Sequence, residues 1–369
     1  MESVIRDLFR ACLLGGAVGD ALGAPVEFMS RNEILRHFGK DGIRDMVTAY
    51  GHIGAITDDT QMTLFTAEGM LRAYVRGATR GICHPPSIIA YAYLRWLHTQ
   101  NIKHPLHEHC LNGWLIEQKT LFSRRAPGIT CVSALQAMRS VGELAKNDSK
   151  GCGGVMRVAP IGMLLASQAR KQAGSHQTEL RQSFDLACEA SGITHGHPTG
   201  QLAAGAFSAI IFLLLFGIRL PVAIEQTLKL LAQYPDHEET THAIQHAVHY
   251  AATQPNSHDA LRQLGEGWIA EESLAISLYC ALCATDFESA VILSVNHDGD
   301  SDSTGSMTGQ LMGVISGYSA IPSRWLEHLE LKDILVQIAD DLCNAPDWKL
   351  NDWNASEEGD FYLKRYPGG

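Results

Sequence analysis

The chain has 369 residues, and its 46% hydrophobic content is enough for one large domain or two ordinary ones. Only 19% of the residues are charged, the net charge is −11, and no basic stripe is visible, which argues against a nucleic-acid-binding protein. Nine cysteines without a framework spacing indicate free thiols in a reducing, cytoplasmic compartment.

Apolar residues recur at helical spacing along most of the chain, and long alternating β patterns, repeats and linkers are missing. The predicted helices, in chain order, are 2–14, 61–76, 86–99, 133–143, 158–168, 179–191, 201–216, 221–231, 238–253, 274–284, 287–295 and 305–317. The sequence therefore predicts one all-α domain over residues 1–369. Residues 318–369 are expected to form a peripheral C-terminal extension, and its last segment, 344–369, is expected to be irregular.

One predicted helix could be mistaken for a membrane span. Residues 201–218 carry no charge and reach the lower end of the spanning length of about 17–25 residues. They lack a flank rich in lysine or arginine and stand alone in the chain. We therefore expect a helix buried on all sides and no membrane association.

Two predicted helical segments carry glycine at every fourth position. These are Gly15, Gly19 and Gly23 in the first segment, and Gly305, Gly309, Gly313 and Gly317 in the second. Each glycine costs a helix about 1 kcal/mol relative to alanine. A close helix crossing explains most of them better than a ligand does.

The stretch "TDDTQM", Thr57 to Met62, places two carboxylates side by side. Taken alone it favours a helix N-terminus, with Asp58 as the N-cap and Gln61 three residues later. A second acidic stretch, "NHDGDSDSTG", holds Asp300, Asp302 and Ser303 ahead of another helix. It does not fit a calcium-binding EF-hand loop, because Ser303 stands where glycine is required and Gly309 where glutamate is required.

Together the two stretches offer four carboxylates and two hydroxyls. These are Thr57, Asp58, Asp59, Asp300, Asp302 and Ser303. Such a cluster would repel itself without cations, and oxygen ligands favour Mg²⁺, Mn²⁺ or Ca²⁺ over zinc. Two ions could share these ligands, clamp substrate hydroxyls and activate a water.

Five segments occur in an order that resembles the ADP-ribosylglycohydrolase family, of the dinitrogenase reductase-activating glycohydrolase type. They are "LLGGAVGDALGAPVEF", "TDDTQM", "SKGCGGVMRVAPIG", "THGHP" and "HDGDSDSTGSMTGQLMG". The resemblance runs from about Ala11 to Gly317. It implies an orthogonal all-α bundle, a binuclear centre of two Mg²⁺ or Mn²⁺, and cleavage of the glycosidic bond that joins ADP-ribose to an acceptor.

The resemblance also implies residue roles. The six oxygen-bearing residues of the two acidic stretches match the metal ligands, with Ser303 where the family often has threonine. Glu27 matches an acidic catalytic residue on a flexible loop, Asp59 is a second candidate for proton transfer, and Asp20 matches a neighbouring position in the site. The residues that match contacts to the diphosphate and ribose are Gly151, Cys152, Gly153, Gly154, Val155, Met156 and His195. Glycines suit such a loop because backbone N–H groups can approach phosphate oxygens closely.

The expected function is hydrolysis of ADP-ribosylated proteins, with ADP-ribose as the product and arginine as the favoured acceptor. Such an enzyme would reverse a regulatory modification or give immunity against an ADP-ribosyltransferase toxin. Alternatives within the family are ADP-ribosyl-serine, ADP-ribosylated nucleic acid and free nucleotides. A non-catalytic protein that binds ADP-ribose is the alternative of another class.

Overall fold

The computed structural model describes residues 2–350 and 357–368. Its two short strands, β1 (Thr48–Ala49) and β2 (His52–Ile53), form an antiparallel hairpin in which Thr48 pairs with Ile53. The helices of the described residues are α1 Glu2–Gly23, α2 Arg31–Phe38, α3 Asp58–Arg80, α4 Pro85–Thr99, α5 Ile129–Ala137, α6 Ala159–Ala169, α7 Gln177–Gly192, α8 Pro198–Leu215, α9 Leu220–Leu231, α10 Glu238–Thr253, α11 His258–Leu264, α12 Ala270–Cys283, α13 Phe287–Val295, α14 Ser301–Ser316, α15 Ser323–Leu326, α16 Lys332–Asn344 and α17 Glu357–Arg365.

The all-α expectation is confirmed, and every predicted helix overlaps an observed one. Several boundaries were wrong, and α3, α12 and α14 each begin three or four residues before the predicted start. Helix α1 continues through its glycines to Gly23, and α5 covers Ile129–Ala137 instead of 133–143. The short helices α2, α11 and α15 were not predicted, because each has too few residues to show a period. The 13-residue helix α16 was also missed, within the part of the chain expected to be a peripheral extension. The start of α2 is fixed locally by a capping box between Ser30 and Glu33.

Helices α1 and α14 run antiparallel in very close contact, and their glycines make this possible. A Cβ atom at Gly19 would overlap the carbonyl oxygen of Gly305, and one at Gly305 would lie 2.5 Å from the carbonyl oxygen of Gly19. Gly15 and Gly309 face each other in the same way. This confirms the expected close helix crossing. It also brings the C-terminal half of α1 beside the first turn of α14.

Helix α8 is the apolar segment that could be mistaken for a membrane span. It is the one described helix long and apolar enough to cross a membrane, and 89% of its apolar window is buried inside the protein. It packs against α6, α7, α9 and α12. The expectation of a helix enclosed by the core is confirmed.

The C-terminal part of the chain contributes to the same core. Helix α16 packs against α1, α3 and α6 and buries Leu335 and Ile338, while Trp325 and Tyr366 are fully buried. Helix α17 lies in the segment expected to be irregular, so that expectation was wrong for its described part; residues 351–356 and 369 lie outside the described residues. The division of the chain into a domain and a peripheral extension stays a prediction.

Candidate active site

The two acidic stretches meet at the N-terminal ends of α3 and α14. Thr57 is the N-cap of α3, in place of the predicted Asp58, and its hydroxyl accepts from the backbone N–H of Asp59. Asp300 is the N-cap of α14, and its side chain accepts from the N–H of Ser303. The Oγ of Ser303 lies 3.3 Å from Oδ2 of Asp59, so the two stretches form one cluster.

Asp20 joins helix α1 to the start of α3. Its carboxylate is fully buried and accepts from the N–H of Thr57 at 3.0 Å and from the N–H of Thr60 at 3.1 Å, as well as from the Thr60 hydroxyl. Burial and repulsion from Asp302 raise the pKa of Asp20 to about 7. Asp20 therefore fixes the backbone that carries the first acidic stretch.

The cluster brings several buried carboxyl groups close together. The pKa values of Asp58, Asp59 and Asp300 are raised well above the usual range. The largest cause is burial, and the second is repulsion from Asp302. The same causes raise the pKa of Glu27 to about 11. Within the described chain, no lysine, arginine or histidine forms an ion pair with any of these carboxylates.

The cluster fits divalent cations by its chemistry. Oδ1 of Asp59 and Oε2 of Glu27 are buried oxygens with no hydrogen-bond donor in residues 2–350 and 357–368. Buried, unpaired carboxylate oxygens are costly unless a proton or a metal satisfies them. No three His, Cys, Asp or Glu side chains of the described residues converge closely enough to hold an ion unaided. Hydroxyls, main-chain oxygens or water would have to complete the coordination.

A cavity of about 710 Å³ opens beside the cluster, within the size range of small-molecule sites. The predicted site residues that line it are Glu27, Asp58, Asp59, Gly151, Cys152, Gly153, Met156, His195, Asp300, Asp302 and Ser303. Four other predicted site residues, Asp20, Thr57, Gly154 and Val155, are buried behind this lining.

The glycine-rich loop is held in place on one side of the cavity. Gly151 pairs with Ile269, and the N–H of Cys152 donates to the carbonyl of Trp268 at 3.1 Å. The Cys152 thiol donates to Oδ2 of Asp300 at 2.7 Å, which joins the loop to the acidic cluster. A Cβ at Gly153 would lie 2.8 Å from Sγ of Cys131. That glycine therefore makes room for a protein side chain as well as for any ligand.

His195 lies against the glycine-rich loop. It is 1% exposed, and its Nδ1 lies 2.8 Å from the hydroxyl of Thr194. Burial and the nearby Arg157 guanidinium lower the pKa of His195 to about 3. The imidazole is therefore neutral at physiological pH. Its ring faces the side of the loop on which Gly151 and Gly153 carry no side chain.

Exposed apolar residues surround the mouth of the cavity. Phe28 is 74% exposed, and its ring stacks on Trp268 with centroids 5.8 Å apart and planes 16° apart. Nε1 of Trp268 donates to Oε2 of Glu266 at 3.1 Å. Tyr50 and Ile129 also line the cavity and are exposed. The mouth thus presents aromatic faces next to a carboxylate.

The chain matches known proteins over most of its length. The family model described as ADP-ribosylglycohydrolase matches residues 1–351. The chain belongs to the ADP-ribosylglycohydrolase family. A solved structure titled "ADP-ribosylglycohydrolase-related protein complex" is similar to it with a TM-score of 0.61 and 26% identity, covering 93% of this chain and 99% of the other.

Two curated relatives have names that state an activity. The ADP-ribosyl-[dinitrogen reductase] glycohydrolase of Rhodospirillum rubrum is 26% identical over 89% of this chain and 92% of its own length. The ADP-ribosylarginine hydrolase Tri1 of Serratia proteamaculans is 23% identical over 92% of this chain and 80% of its own length. Membership of the family indicates an ADP-ribosyl hydrolase activity.

Sequence reasoning missed several residues of this candidate site. Phe28 directly follows Glu27, and its position next to a predicted site residue was a usable signal. Trp268 lies in "GEGW", where two glycines flank Glu266, but nothing local ties that turn to the cavity. Residues 126–131, the end of a loop and the first residues of α5, line the cavity, and their sequence carries no signal for that placement.

Proposed function

We propose that this chain is a metal-dependent hydrolase that releases ADP-ribose from modified arginine side chains of proteins. The observation that supports the proposal best is the buried carboxylate cluster, which has no cationic partner in the described chain and borders a cavity lined by a glycine-rich loop. Two Mg²⁺ or Mn²⁺ ions are the cofactors that this oxygen-rich set would take.

The proposed metal ligands are Thr57, Asp58, Asp59, Asp300, Asp302 and Ser303. Bound cations would supply Lewis-acid stabilisation of ribose oxygens and lower the pKa of a water. Asp20 and Cys152 hold this set in place. Asp20 bonds to the backbone of Thr57, and Cys152 bonds to the side chain of Asp300.

Glu27 and Asp59 are the candidates for proton transfer. Glu27 lines the cavity beside the cluster, and its buried Oε2 has no hydrogen-bond donor among the described residues, which suits a group that exchanges a proton with the acceptor or with a water. Oδ1 of Asp59 has no partner in the part of the chain that the structure describes, which suits a group that orients or deprotonates a water. Glycosidic cleavage passes through an oxocarbenium-like state, so negative charge beside the ribose is also stabilising.

The mouth supports arginine as the acceptor. A guanidinium is planar and cationic, stacks on aromatic faces and pairs with carboxylates. Phe28 and Trp268 line the cavity and offer aromatic faces, and the carboxylate of Glu266 lies next to them, bonded to Nε1 of Trp268. The two relatives with stated activities are named for dinitrogen reductase and for ADP-ribosylarginine, which supports the same choice.

The test is a side-by-side assay on proteins mono-ADP-ribosylated at arginine, serine, glutamate and cysteine, with poly-ADP-ribose and an ADP-ribosylated oligonucleotide alongside. We expect release from arginine with Mg²⁺ or Mn²⁺, loss of activity in EDTA, and recovery when the metal is restored. Preferential release from another acceptor would refute the arginine assignment and leave the metal mechanism in place. Binding of ADP-ribose without turnover of any substrate would favour a non-catalytic binding protein. Immunity would be tested by coexpressing the chain with an arginine-directed ADP-ribosyltransferase toxin and measuring cell survival.

A further inference from the structure

A buried arginine lies directly behind the glycine-rich loop. Arg157 is completely buried, and its Nη2 donates to the hydroxyl of Thr194 at 2.6 Å and to the carbonyl of Ala190 at 3.3 Å. Its guanidinium stacks on the ring of Tyr93, 4.1 Å from the centroid. No carboxylate of the described residues pairs with it. Because a guanidinium stays charged at every physiological pH, it acts here as a permanent donor to Thr194.

The hydroxyl of Thr194 has one proton to give. Since the hydroxyl oxygen accepts from Arg157, the hydroxyl proton must point to another acceptor. Nδ1 of His195 lies 2.8 Å away, whereas the carbonyl of Ser191 lies 3.4 Å away. That carbonyl already accepts the backbone N–H groups of Thr194 and His195, at 3.0 and 2.9 Å. The imidazole nitrogen is therefore the better acceptor.

We infer that Arg157 and Thr194 are positioning residues that hold His195 as a neutral imidazole with its proton on Nε2, so that it presents a fixed N–H donor to an oxygen of the substrate. The chain of bonds runs from the guanidinium through the hydroxyl to Nδ1. It sets both the tautomer and the orientation of the ring.

The other ring nitrogen faces the space where a ligand would lie. Nε2 has no hydrogen-bond acceptor within residues 2–350 and 357–368, although His195 lines the cavity. A Cβ at Gly151 would lie 3.4 Å from Nε2, so the absence of a side chain there keeps this nitrogen accessible. Because His195 lines the cavity, a bound ligand can supply the acceptor for this N–H. If the proposed function is right, on which this step rests, that acceptor is a phosphate or hydroxyl oxygen of ADP-ribose.

The experiment is NMR of the full chain with ¹⁵N-labelled histidine at pH 7, without ligand. A long-range ¹H–¹⁵N correlation reports which ring nitrogen carries the proton, and His195→Ala identifies the signals by their loss. We expect a protonated Nε2 and an unprotonated Nδ1 for His195. A proton on Nδ1, or on both nitrogens, would overturn the inference. The tautomer is read from the wild-type chain, and His195→Gln replaces His195→Ala for the identification of the signals if the alanine variant fails to fold.

A matched pair of variants tests the role of the hydroxyl. Thr194→Val keeps the shape and removes the donor, and we expect a mixture of tautomers and a Kd for ADP-ribose that is about 3- to 10-fold higher, the effect of one weakened hydrogen bond. Thr194→Ser should restore the single tautomer and the affinity. An unchanged spectrum and affinity in Thr194→Val would contradict the inference. Failure of the wild type to bind ADP-ribose would count against the proposed function alone, because the tautomer is measured without ligand.

Discussion

The side chains of Ser303 and Asp59 meet with Oγ 3.3 Å from Oδ2, although 244 positions separate them in the sequence. This contact exists because the glycine-mediated crossing of α1 and α14 places the first turn of α14 beside α3. Two helix starts, each of which looks like ordinary capping by itself, thereby share one buried acidic cluster. The metal site predicted from the sequence depends on this contact between the two helix starts.

The first prediction concerns Asp302, whose charge raises the pKa of Asp20, Glu27, Asp58, Asp59 and Asp300. Asp302→Asn keeps the shape and removes the charge. We expect it to abolish metal-dependent turnover and to raise the Tm in EDTA, because it relieves repulsion in the cluster. Circular dichroism should be unchanged, and activity and thermal melts are the measurements.

The control for that substitution lies on the same loop. Asp298 accepts the backbone N–H of Arg31 at 2.9 Å and stands outside the cluster. Asp298→Asn can still accept this bond, so both activity and the Tm in EDTA should stay near those of the wild type. Near-normal turnover in Asp302→Asn would refute the metal centre.

The fold could be predicted from the sequence because helical periodicity is a local property. The glycine spacing also predicted a close helix crossing, since repeated glycines in a helix need a close neighbour, but it did not show that α1 and α14 are each other's partners. The relay from Arg157 to His195 could not be predicted. Arg157 lies in "GVMRV" and Thr194 in "THGHP", and only the packed fold shows that they touch. The same holds for Phe28 and Trp268, which are 240 positions apart and stack at the mouth.

The second prediction is a pH dependence of stability in the absence of metal. Carboxyls whose pKa is raised in the folded state bind more protons folded than unfolded, so their contribution to stability is lost as the pH rises. In the folded chain the pKa is about 7 for Asp20 and about 11 for Glu27, whereas an unfolded carboxyl has a pKa of about 4. Both groups therefore make the folded state less stable as the pH rises above about 4. Burial lowers the pKa of His195 and His297, so these two residues make the folded state more stable as the pH rises. Their effect ends at about pH 6.5, the usual histidine pKa.

The measurement is the Tm in EDTA between about pH 7 and 8.5, above the histidine range. We expect the Tm of the wild type to fall across this window and that of Asp302→Asn to fall less. Saturating Mg²⁺ should reverse the slope, because cations bind the deprotonated cluster and stabilise the folded state. Equal slopes for the two proteins in EDTA would show that the cluster is not the cause.

The third prediction compares two glycines of the glycine-rich loop, Gly151 and Gly154, by their effects on stability and on ADP-ribose binding. A Cβ at Gly154 would overlap Oγ of Ser191, so Gly154→Ala should lower the Tm through a clash inside the protein. Gly151 has ordinary backbone angles, and its nearest protein neighbour would be Nε2 of His195 at 3.4 Å. Gly151→Ala should therefore keep the Tm and raise the Kd for ADP-ribose about tenfold, roughly the worth of one charge-assisted hydrogen bond. Unchanged affinity by calorimetry would show that the ligand does not approach this glycine.

The last prediction concerns the mouth, where Phe28 stacks on Trp268. A cation stacked on an aromatic ring gains about 0.5–2 kcal/mol, so Phe28→Ala should raise the KM for an arginine-ADP-ribosylated protein about 2- to 30-fold. Phe28→Tyr keeps the aromatic face and should keep the KM. The Kd of free ADP-ribose should stay within about twofold, because the acceptor is missing from that ligand. An equal loss of affinity for free ADP-ribose would place the adenine ring, and not the acceptor, on Phe28. Glu266→Gln then provides an independent check, since a cationic acceptor responds to the loss of that carboxylate and adenine does not.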